Sequence, residues 1–198
     1  GMQNKQKLIE ESWQRCRQYG ITQHGWSQSE VLTGKELEAV LKDSQELIDS
    51  ARLLMQSLYE LVASSGFVVV LLNADGYIVE VIGEMDDVKS SWTGYYARGV
   101  KWTEELAGTS ALSLALLGSG PIQVLGDEHY CKAYADWTCS AAPLTDDCGK
   151  IMGVLSVTGS KENAHSHTLG MVVSAAAAIN NMIKVRRAQK KLEDTARL

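Results

Sequence analysis

The chain has 198 residues, of which 45% are hydrophobic and 22% charged, and its formal net charge at pH 7 is −5. A chain of this length can bury a sizeable core, while its acidic balance argues against nucleic-acid binding through the overall electrostatic field. The sequence contains no uninterrupted apolar run of about 18 residues, which a membrane-spanning helix needs. Its four cysteines form no C-x-x-C pair. We therefore expect a cytoplasmic protein with reduced thiols, no membrane contact and no cofactor.

The first third of the chain has two helical patterns. A short apolar pattern with helical spacing ends before Gly20, a residue type that often terminates helices; it comprises Ile9, Trp13 and Cys16. A longer pattern with the same spacing covers residues 37–62, and Thr33 followed by Glu36 matches a capping box. We expect a short first helix, a connector over residues 21–32 and one long helix that starts at Thr33.

Two hairpins follow in the sequence. The β-branched run "FVVVLLN" (67–73) and the run "YIVEVIG" (77–83) are separated by a three-residue turn that ends in Gly76. Strand-like residues 137–145 and 150–158 flank a second polar turn. Each pair is predicted to form an antiparallel hairpin.

The remaining elements complete the fold prediction. A short apolar helix is expected near residues 110–117, a strand in "PIQVLG" (121–126), a short helix from Asp127 and a long helix from about His167. The order is helix, hairpin, irregular middle, hairpin, helix. It predicts an α+β fold in which an antiparallel sheet is flanked by the N-terminal and C-terminal helices.

The last helix carries two apolar stripes. The first, expected to pack on the domain, comprises Leu169, Val172, Ala176, Ile179 and Ile183. The second is shifted and interrupted by Gln189; it comprises Met182, Val185, Leu192 and Ala196. We expect this second stripe to pair with a second copy, assisted by the helix at residues 8–16, to form a homodimer. The basic residues between 184 and 191 are typical of a solvated face, so we expect no direct nucleic-acid binding.

Four segments carry a family resemblance, which covers nearly the whole chain. They are "SWQRCRQYG", "VKWTEELAGTSALSLAL", "LGDEHYCKAYADWTCSAAPLTDDCGKIMGVLSVTG" and "AHSHTLGMVV". In this order they resemble the GAF domain of sigma-54-dependent transcriptional activators of the acetoin-catabolism and dihydroxyacetone-kinase-operon type. The sequence departs from that pattern at Ser110, where the family usually has Asn, and at Ser156, where it usually has Asp.

The resemblance implies a domain plan and a function. Residues 1–33 form an N-terminal helix and connector, residues 34–183 a GAF-like sensory domain, and residues 184–198 a linker or signalling helix. The domain is expected to bind a small metabolite and to relay the signal to ATPase and DNA-binding domains. These residues contain no G-x-x-x-x-G-K-[ST] loop of an ATPase. Two alternatives stay open: a module that docks a partner protein, and a GAF-fold small-molecule reductase that uses a cysteine.

The segment "WTCSAAP" holds the cysteine that such chemistry would use. Strand alternation places Trp137, Cys139 and Ala141 on one face. A nucleophilic thiol needs a base, a cation or a helix N-terminus to lower its pKa, and the local sequence supplies none. We therefore expect Cys139 to line a pocket or a core, and we predict no catalytic residue.

The resemblance brings separated segments together into one predicted pocket. Its expected wall residues are Trp102, Thr109, Ser110, His129, Trp137 and Cys139. The tryptophans would supply aromatic walls, and the backbone at Ser110 begins a helix that either receives a ligand or is simply capped.

The histidines raise a further possibility. His165 and His167 could join His129 and Glu128 around a cation, but their spacing matches no known metal site. Glu128 and His129 can also be read as an acid–base pair, but no nearby nucleophile is available for them to assist. We predict no metal site and no enzyme.

Overall fold

The computed structural model describes residues 2–24, 31–83 and 92–198. Its helices are α1 (Met2–Tyr19), α2 (Gly34–Asp43), α3 (Gln45–Val62), α4 (Trp92–Tyr95), α5 (Glu104–Ala107), α6 (Ala111–Leu116) and α7 (Ser166–Ala196). Its strands are β1 (Val68–Asn73), β2 (Ile78–Ile82), β3 (Ile122–Leu125), β4 (Trp137–Thr145) and β5 (Ile151–Ser160). Short 3-10 turns cover Ala63–Ser65, Gly126–Glu128, Lys132–Tyr134 and Lys161–Asn163.

The strands form one sheet in the order β2-β1-β5-β4-β3, and every neighbouring pair is antiparallel. Both predicted hairpins are confirmed, as β1–β2 and β4–β5. The pairing of β1 with β5 joins the hairpins and places Val70 opposite Ser156. The α+β class, with an antiparallel sheet and helices at both ends, is also confirmed.

The sheet separates two apolar cores, because successive strand residues point to opposite faces. On β1, Val68, Val70 and Leu72 enter one core, while Val69 and Leu71 enter the other. The first core, which we call the site face, also receives residues of α1, α5 and α6. The second, which we call the helix face, is covered by α3 and α7.

The predicted long helix is two helices, α2 and α3, which meet at Ser44. The backbone N–H of Ser44 still donates to the carbonyl oxygen of Val40 at 3.0 Å, so the apolar pattern continues across the junction. Thr33 is the N-cap of α2, but among the described residues its side chain makes no capping hydrogen bond. The reason is the φ of 55° at Gly34, which lies outside the helical region and distorts the first turn.

The terminal helices lie on opposite faces of the sheet. In α1, Ile9 and Cys16 pack on the site face, whereas the buried stripe of α7 packs on the helix face. That stripe includes the predicted Val172, Ala176, Ile179 and Ile183. Within one chain, the sheet therefore stands between the first helix and the second stripe of α7. The helix beside α7 is α3.

Residues 25–30 of the predicted connector lie outside the described residues. By length and mean hydropathy, α7 is long and apolar enough to cross a membrane, although it contains no uninterrupted apolar run of that length. In the domain, 28% of its most apolar stretch is buried. Val172 and Ile179 belong to the core of the helix face, so one side of this part of α7 packs on the domain.

Candidate ligand-binding site

Five aromatic side chains form a connected cluster on the site face: Tyr95, Tyr96, Trp102, Tyr134 and Trp137. The ring of Tyr96 stacks on Trp102 with centroids 5.1 Å apart, and that of Tyr134 stacks on Trp137 at 5.2 Å. Further contacts of 5.3 Å join Trp102 to Tyr134, and of 5.4 Å join Tyr96 to Trp137. The two predicted tryptophans therefore lie on the same side of the domain, linked through tyrosines.

Hydroxyl and thiol groups of β4 and β5 lie on this same face. The Thr158 hydroxyl donates to Cys139 Sγ at 3.4 Å, and the Tyr96 hydroxyl lies 4.0 Å from the same sulfur. Ser156, which alternation places beside Thr158, is fully buried, and its Oγ has no hydrogen-bond partner among the residues described. Its cross-strand neighbours Val70 and Ala141 are apolar. A buried hydroxyl without a partner is a group that a ligand can satisfy.

Cys139 is a buried thiol with a raised pKa. Burial raises the pKa of Cys139 to about 11, against smaller lowering effects of its hydrogen bonds to Thr158 and Tyr96. The reactive form of a thiol is the thiolate, so this environment suppresses nucleophilic reactivity. Cys139 is buried, as predicted for a residue that lines a core or a pocket.

His129 joins the aromatic cluster through Tyr134, whose ring centroid lies 5.8 Å from that of the imidazole. Burial lowers the pKa of His129 to about 4, so the ring is neutral at pH 7. Its Nδ1 lies 2.8 Å from the carbonyl oxygen of Gly126. Because a carbonyl only accepts, Nδ1 carries the proton and Nε2 is an acceptor. That nitrogen is buried and unpartnered within the described residues.

Thr109 and Ser110 make their hydrogen bonds elsewhere. The Thr109 hydroxyl lies 2.6 Å from the Ser12 hydroxyl of α1. Ser110 is the N-cap of α6, where its Oγ accepts from the backbone N–H of Ser113 at 3.0 Å. Of the two readings of Ser110, capping is the one that these contacts support. These hydrogen bonds therefore tie both residues to helices, rather than to the aromatic cluster.

A buried ion pair anchors α1 next to Thr109. The carboxylate of Glu104 is 2% exposed and pairs with Arg15, whose Nη2 donates to Oε2 at 2.9 Å. The Ser12 hydroxyl donates to the same oxygen at 2.7 Å. The pKa of Arg15 is raised, mainly by its hydrogen bond to Glu104. These contacts hold α1 against the segment that leads into α6.

His165 and His167 lie together at the N-terminus of α7, where their ring centroids are 4.8 Å apart. His165 is the N-cap of α7, and its Nδ1 accepts from the backbone N–H of His167 at 3.1 Å. Over the described ranges, no group of three or more His, Cys, Asp or Glu side chains lies close enough together to hold a metal ion.

An open groove of about 870 Å³ lies away from the aromatic cluster, between α1 and the turn after β3. Its wall includes Trp13, whose Nε1 donates to the carbonyl oxygen of Glu128 at 2.8 Å, and Lys5, which pairs with the Glu128 carboxylate at 2.8 Å. None of the six predicted pocket residues lines it. Its charged rim suits a protein surface better than a small apolar ligand.

Sequence reasoning missed several residues of this site: Tyr95, Tyr96, Tyr134, Ser156 and Thr158. Ser156 and Thr158 could have been predicted from the sequence, because polar residues at every second position of an otherwise apolar strand indicate that one face of the strand is polar. The three tyrosines could not have been predicted in this way, because they lie in short or irregular segments that have no hydrophobic periodicity.

The comparisons with known proteins agree on one family. The family model described as "MimR, N-terminal domain" matches residues 6–181. The signal-transduction and transcriptional-control protein of Clostridium beijerinckii is 33% identical over 189 residues, which cover 96% of this chain and 30% of that protein. The acetoin catabolism regulatory protein of Cupriavidus necator is 34% identical over 184 residues, covering 88% of this chain and 27% of that protein. This chain thus spans less than a third of the length of these relatives.

Solved structures match the fold. The structure of the E. coli DhaR(N)-DhaL complex superimposes with a TM-score of 0.88 at 18% identity, covering 96% of this chain and 65% of that chain. An IclR homologue of Microbacterium hydrocarbonoxydans in complex with 4-hydroxybenzoate gives a TM-score of 0.53 at 14% identity, covering 77% of this chain and 75% of that chain. The sequence resemblance to a sensory domain of operon activators is confirmed, and this chain belongs to the MimR N-terminal domain family.

Proposed function

We propose that this chain is the sensory domain of a transcriptional activator, which binds a small uncharged effector and relays the signal to ATPase and DNA-binding domains outside these residues. The family assignment supports it, as do relatives named for acetoin operons in Bacillus subtilis and Cupriavidus necator. The sigma-54 dependence rests on the sequence resemblance.

The observation that carries the proposal is the aromatic cluster together with two unpartnered polar atoms on the site face. Ser156 Oγ and His129 Nε2 are buried without partners among the described residues, and such groups gain free energy when a ligand satisfies them. The side chains of the cluster and of its strand neighbours are uncharged at pH 7, since the pKa of His129 is about 4 and that of Cys139 about 11. A neutral ligand with hydroxyl or carbonyl groups fits this chemistry, and a carboxylate does not. Of the predicted pocket residues, we propose Trp102, His129, Trp137 and Cys139 as wall residues. The hydrogen bonds of Thr109 and Ser110 tie those two residues to α1 and α6 instead.

A thermal-shift series tests this proposal. Acetoin, butane-2,3-diol, acetone and pyruvate are compared on the wild-type chain and on Ser156→Ala, with the exposed-site variant Cys148→Ala as a matched control. A ligand at about 100 times its Kd stabilises the folded state by about 2.7 kcal/mol. We expect an uncharged compound to raise the melting temperature of the wild type and Cys148→Ala but not that of Ser156→Ala. A shift with pyruvate alone, or an equal shift in Ser156→Ala, contradicts the proposal.

The second candidate is a partner protein as effector. The solved structure of DhaR(N) in complex with DhaL favours it, and the groove between α1 and the turn after β3 offers a surface. Calorimetric titration with purified E. coli DhaL tests it on the wild type and on Trp13→Ala. Heat in the wild type that is lost in the variant supports docking in the groove, and no heat argues against a partner of this kind.

We further propose that the domain is not an enzyme. At pH 7 a thiol with a pKa of about 11 is a thiolate in only about one molecule in ten thousand. This holds for Cys131 and Cys139, so both are poor nucleophiles. A turnover assay with thiol reductants and small carbonyl compounds is expected to show no activity.

The remaining proposals concern organisation. We infer a cytoplasmic homodimer, with residues 1–33 as N-terminal helix and connector, 34–183 as the sensory domain and 184–198 as the signalling helix. The relatives, which are transcriptional regulators, support the location. The unpaired stripe at the end of α7 supports the dimer.

A further inference from the structure

The turn after β3 lies between α1 and the aromatic cluster, and its residues alternate between the two. Glu128 and Tyr130 contact Trp13 of α1: the carbonyl oxygen of Glu128 accepts a hydrogen bond from the indole, and the Tyr130 ring lies edge-on to it, with centroids 5.2 Å apart. His129, between them, is buried and contacts the ring of Tyr134 in the aromatic cluster. One side chain of α1 therefore touches the residue before His129 and the residue after it.

The peptide group between Glu128 and His129 is held at both of its polar atoms. Its carbonyl oxygen accepts from Trp13 Nε1 at 2.8 Å, and its N–H, which belongs to His129, donates to the carbonyl oxygen of Gly126 at 3.1 Å. Because a peptide group is planar, these two bonds together fix its orientation. The Cα atom of His129 lies in the same plane, so the orientation of the plane directs the imidazole.

The imidazole is held by the same carbonyl oxygen of Gly126. It accepts from Nδ1 of His129 at 2.8 Å, which leaves the buried Nε2 as an acceptor with no partner among the described residues. An acceptor is satisfied only by a donor, such as a hydroxyl group. The direction of the peptide plane thus decides whether Nε2 presents its lone pair to a bound molecule.

Of the contacts between α1 and this turn, the indole makes the better protected one. The other polar contact is the ion pair of Lys5 with the Glu128 carboxylate, whose side chains are each 33% exposed. An ion pair this exposed is screened by water and contributes little. The Trp13 side chain, by contrast, packs against the core of the site face. We therefore assign the control of the peptide plane to Trp13.

The attachment of α1 to the domain does not depend on Trp13 alone. The Ser12 hydroxyl donates to the buried Glu104 carboxylate at 2.7 Å, and Arg15 pairs with the same carboxylate. Cys16 is fully buried in the core of the site face. A change at Trp13 is therefore expected to alter the turn while α1 stays in place.

We propose that Trp13 is a positioning residue for His129: its indole holds the peptide group before the imidazole and the ring after it, so that α1 controls the ligand site through this turn. The inference deepens the proposed function and rests on it for the role of His129 in ligand binding. Trp13 also lines the open groove between α1 and the turn after β3. The groove and the site therefore share one side chain.

Heteronuclear NMR of the imidazole rings in the full 198-residue chain tests the positioning role without a ligand. Trp13→Phe keeps a ring beside Tyr130 but removes the N–H donor, and Gln14→Ala is the matched control, because Gln14 is exposed on the same groove wall. His129→Gln assigns the signal. We expect protonated Nδ1 and a pKa of about 4 for His129 in the wild type and the control. In Trp13→Phe we expect both tautomers and a pKa that rises toward 6.5, because a ring that is no longer held becomes hydrated.

Lys5→Gln separates positioning from the effect of charge. The positive charge of Lys5 contributes to the lowered pKa of His129, but its removal leaves the indole bond intact. We expect a small rise of the pKa of His129 with the proton still on Nδ1. Circular dichroism checks that each variant folds. A tautomer change as large in Lys5→Gln as in Trp13→Phe would contradict the assignment to the indole.

Thermal shifts with butane-2,3-diol, whose hydroxyl groups can donate to Nε2, connect the imidazole to the site. We expect binding to Trp13→Phe to be about tenfold weaker than to the wild type and Gln14→Ala, because the acceptor is turned away. The proposal is overturned if His129 in Trp13→Phe keeps the tautomer and pKa of the wild type, or if its imidazole moves and binding does not weaken. If no compound shifts the wild type, the proposed function fails, whereas the NMR result still decides the role of Trp13.

Discussion

Replacing Arg15 by Ala removes the cation that balances a buried carboxylate. Glu104 is 2% exposed and receives two donors of Arg15 and the Ser12 hydroxyl. In the variant, Ser12 is the one side chain of this group that still donates a hydrogen bond to the Glu104 carboxylate. The expected result is a less stable fold whose α1 is more weakly held to the segment before α6.

The size of the effect follows from burial. Breaking a fully buried ion pair costs about 3–5 kcal/mol, whereas exposed pairs contribute about 0–1 kcal/mol. Since the side chain of Arg15 is 36% exposed, solvent screens the pair and the estimate lies between these limits, at about 2 kcal/mol. For a chain of this length each kcal/mol shifts the melting temperature by about 2–4 °C, so we expect a drop of about 4–8 °C.

Thermal and urea unfolding of four proteins measure this energy: the wild type, Arg15→Ala, Glu104→Gln and the double variant. The control is Arg17→Ala, an exposed arginine on the same helix, which is expected to change stability by less than about 0.5 kcal/mol. The double-mutant cycle isolates the pair. The reasoning is refuted if Arg15→Ala is no worse than Arg17→Ala, or if the coupling energy is close to zero.

Two further predictions concern the site. The pKa of His129 is about 6.5 in the unfolded chain and about 4 in the folded domain, so between these pH values only the unfolded chain binds the proton. The contribution of neutral His129 to the free energy of unfolding is therefore complete above pH 6.5 and is lost as the pH falls from 6.5 to 4. Urea unfolding across this window is expected to show a loss of about 3 kcal/mol that His129→Gln lacks; equal slopes in both proteins would rule this out. Cys139→Ser is expected to cost only about 1 kcal/mol, because Thr158 and Tyr96 lie next to the new hydroxyl. A turnover activity that this change abolishes would show that Cys139 is catalytic.

The strands and their faces were predictable because their signals are local. In "WTCSAAP" the alternation alone places Trp137 and Cys139 together, and both lie in the same core. The hairpins were also local, since each turn follows directly on an apolar run. The family resemblance also predicted that segments far apart in the sequence come together, and in this way it placed Trp102 on the same side of the domain as Trp137.

The buried polar contacts were not predictable from pattern. Glu104 stands in a charged stretch, and its cation Arg15 is 89 residues earlier in the chain. A charged residue in a sequence is expected at the surface unless a partner is known. The contacts of Tyr134 and Tyr96 were not predictable either, because the neighbours of a ring in an irregular segment depend on the tertiary fold and not on the local sequence.

Helix packing shows why periodicity determines a face but not its partner. The stripes of α1 and of α7 are both readable from the sequence, and both are real. Which side of the sheet each helix covers depends on the strand order β2-β1-β5-β4-β3, in which chain neighbours and spatial neighbours differ. Since α7 follows β5 and α1 precedes every strand, no local signal places them on opposite faces. The consequence is that α3, rather than α1, packs beside α7 on the helix face.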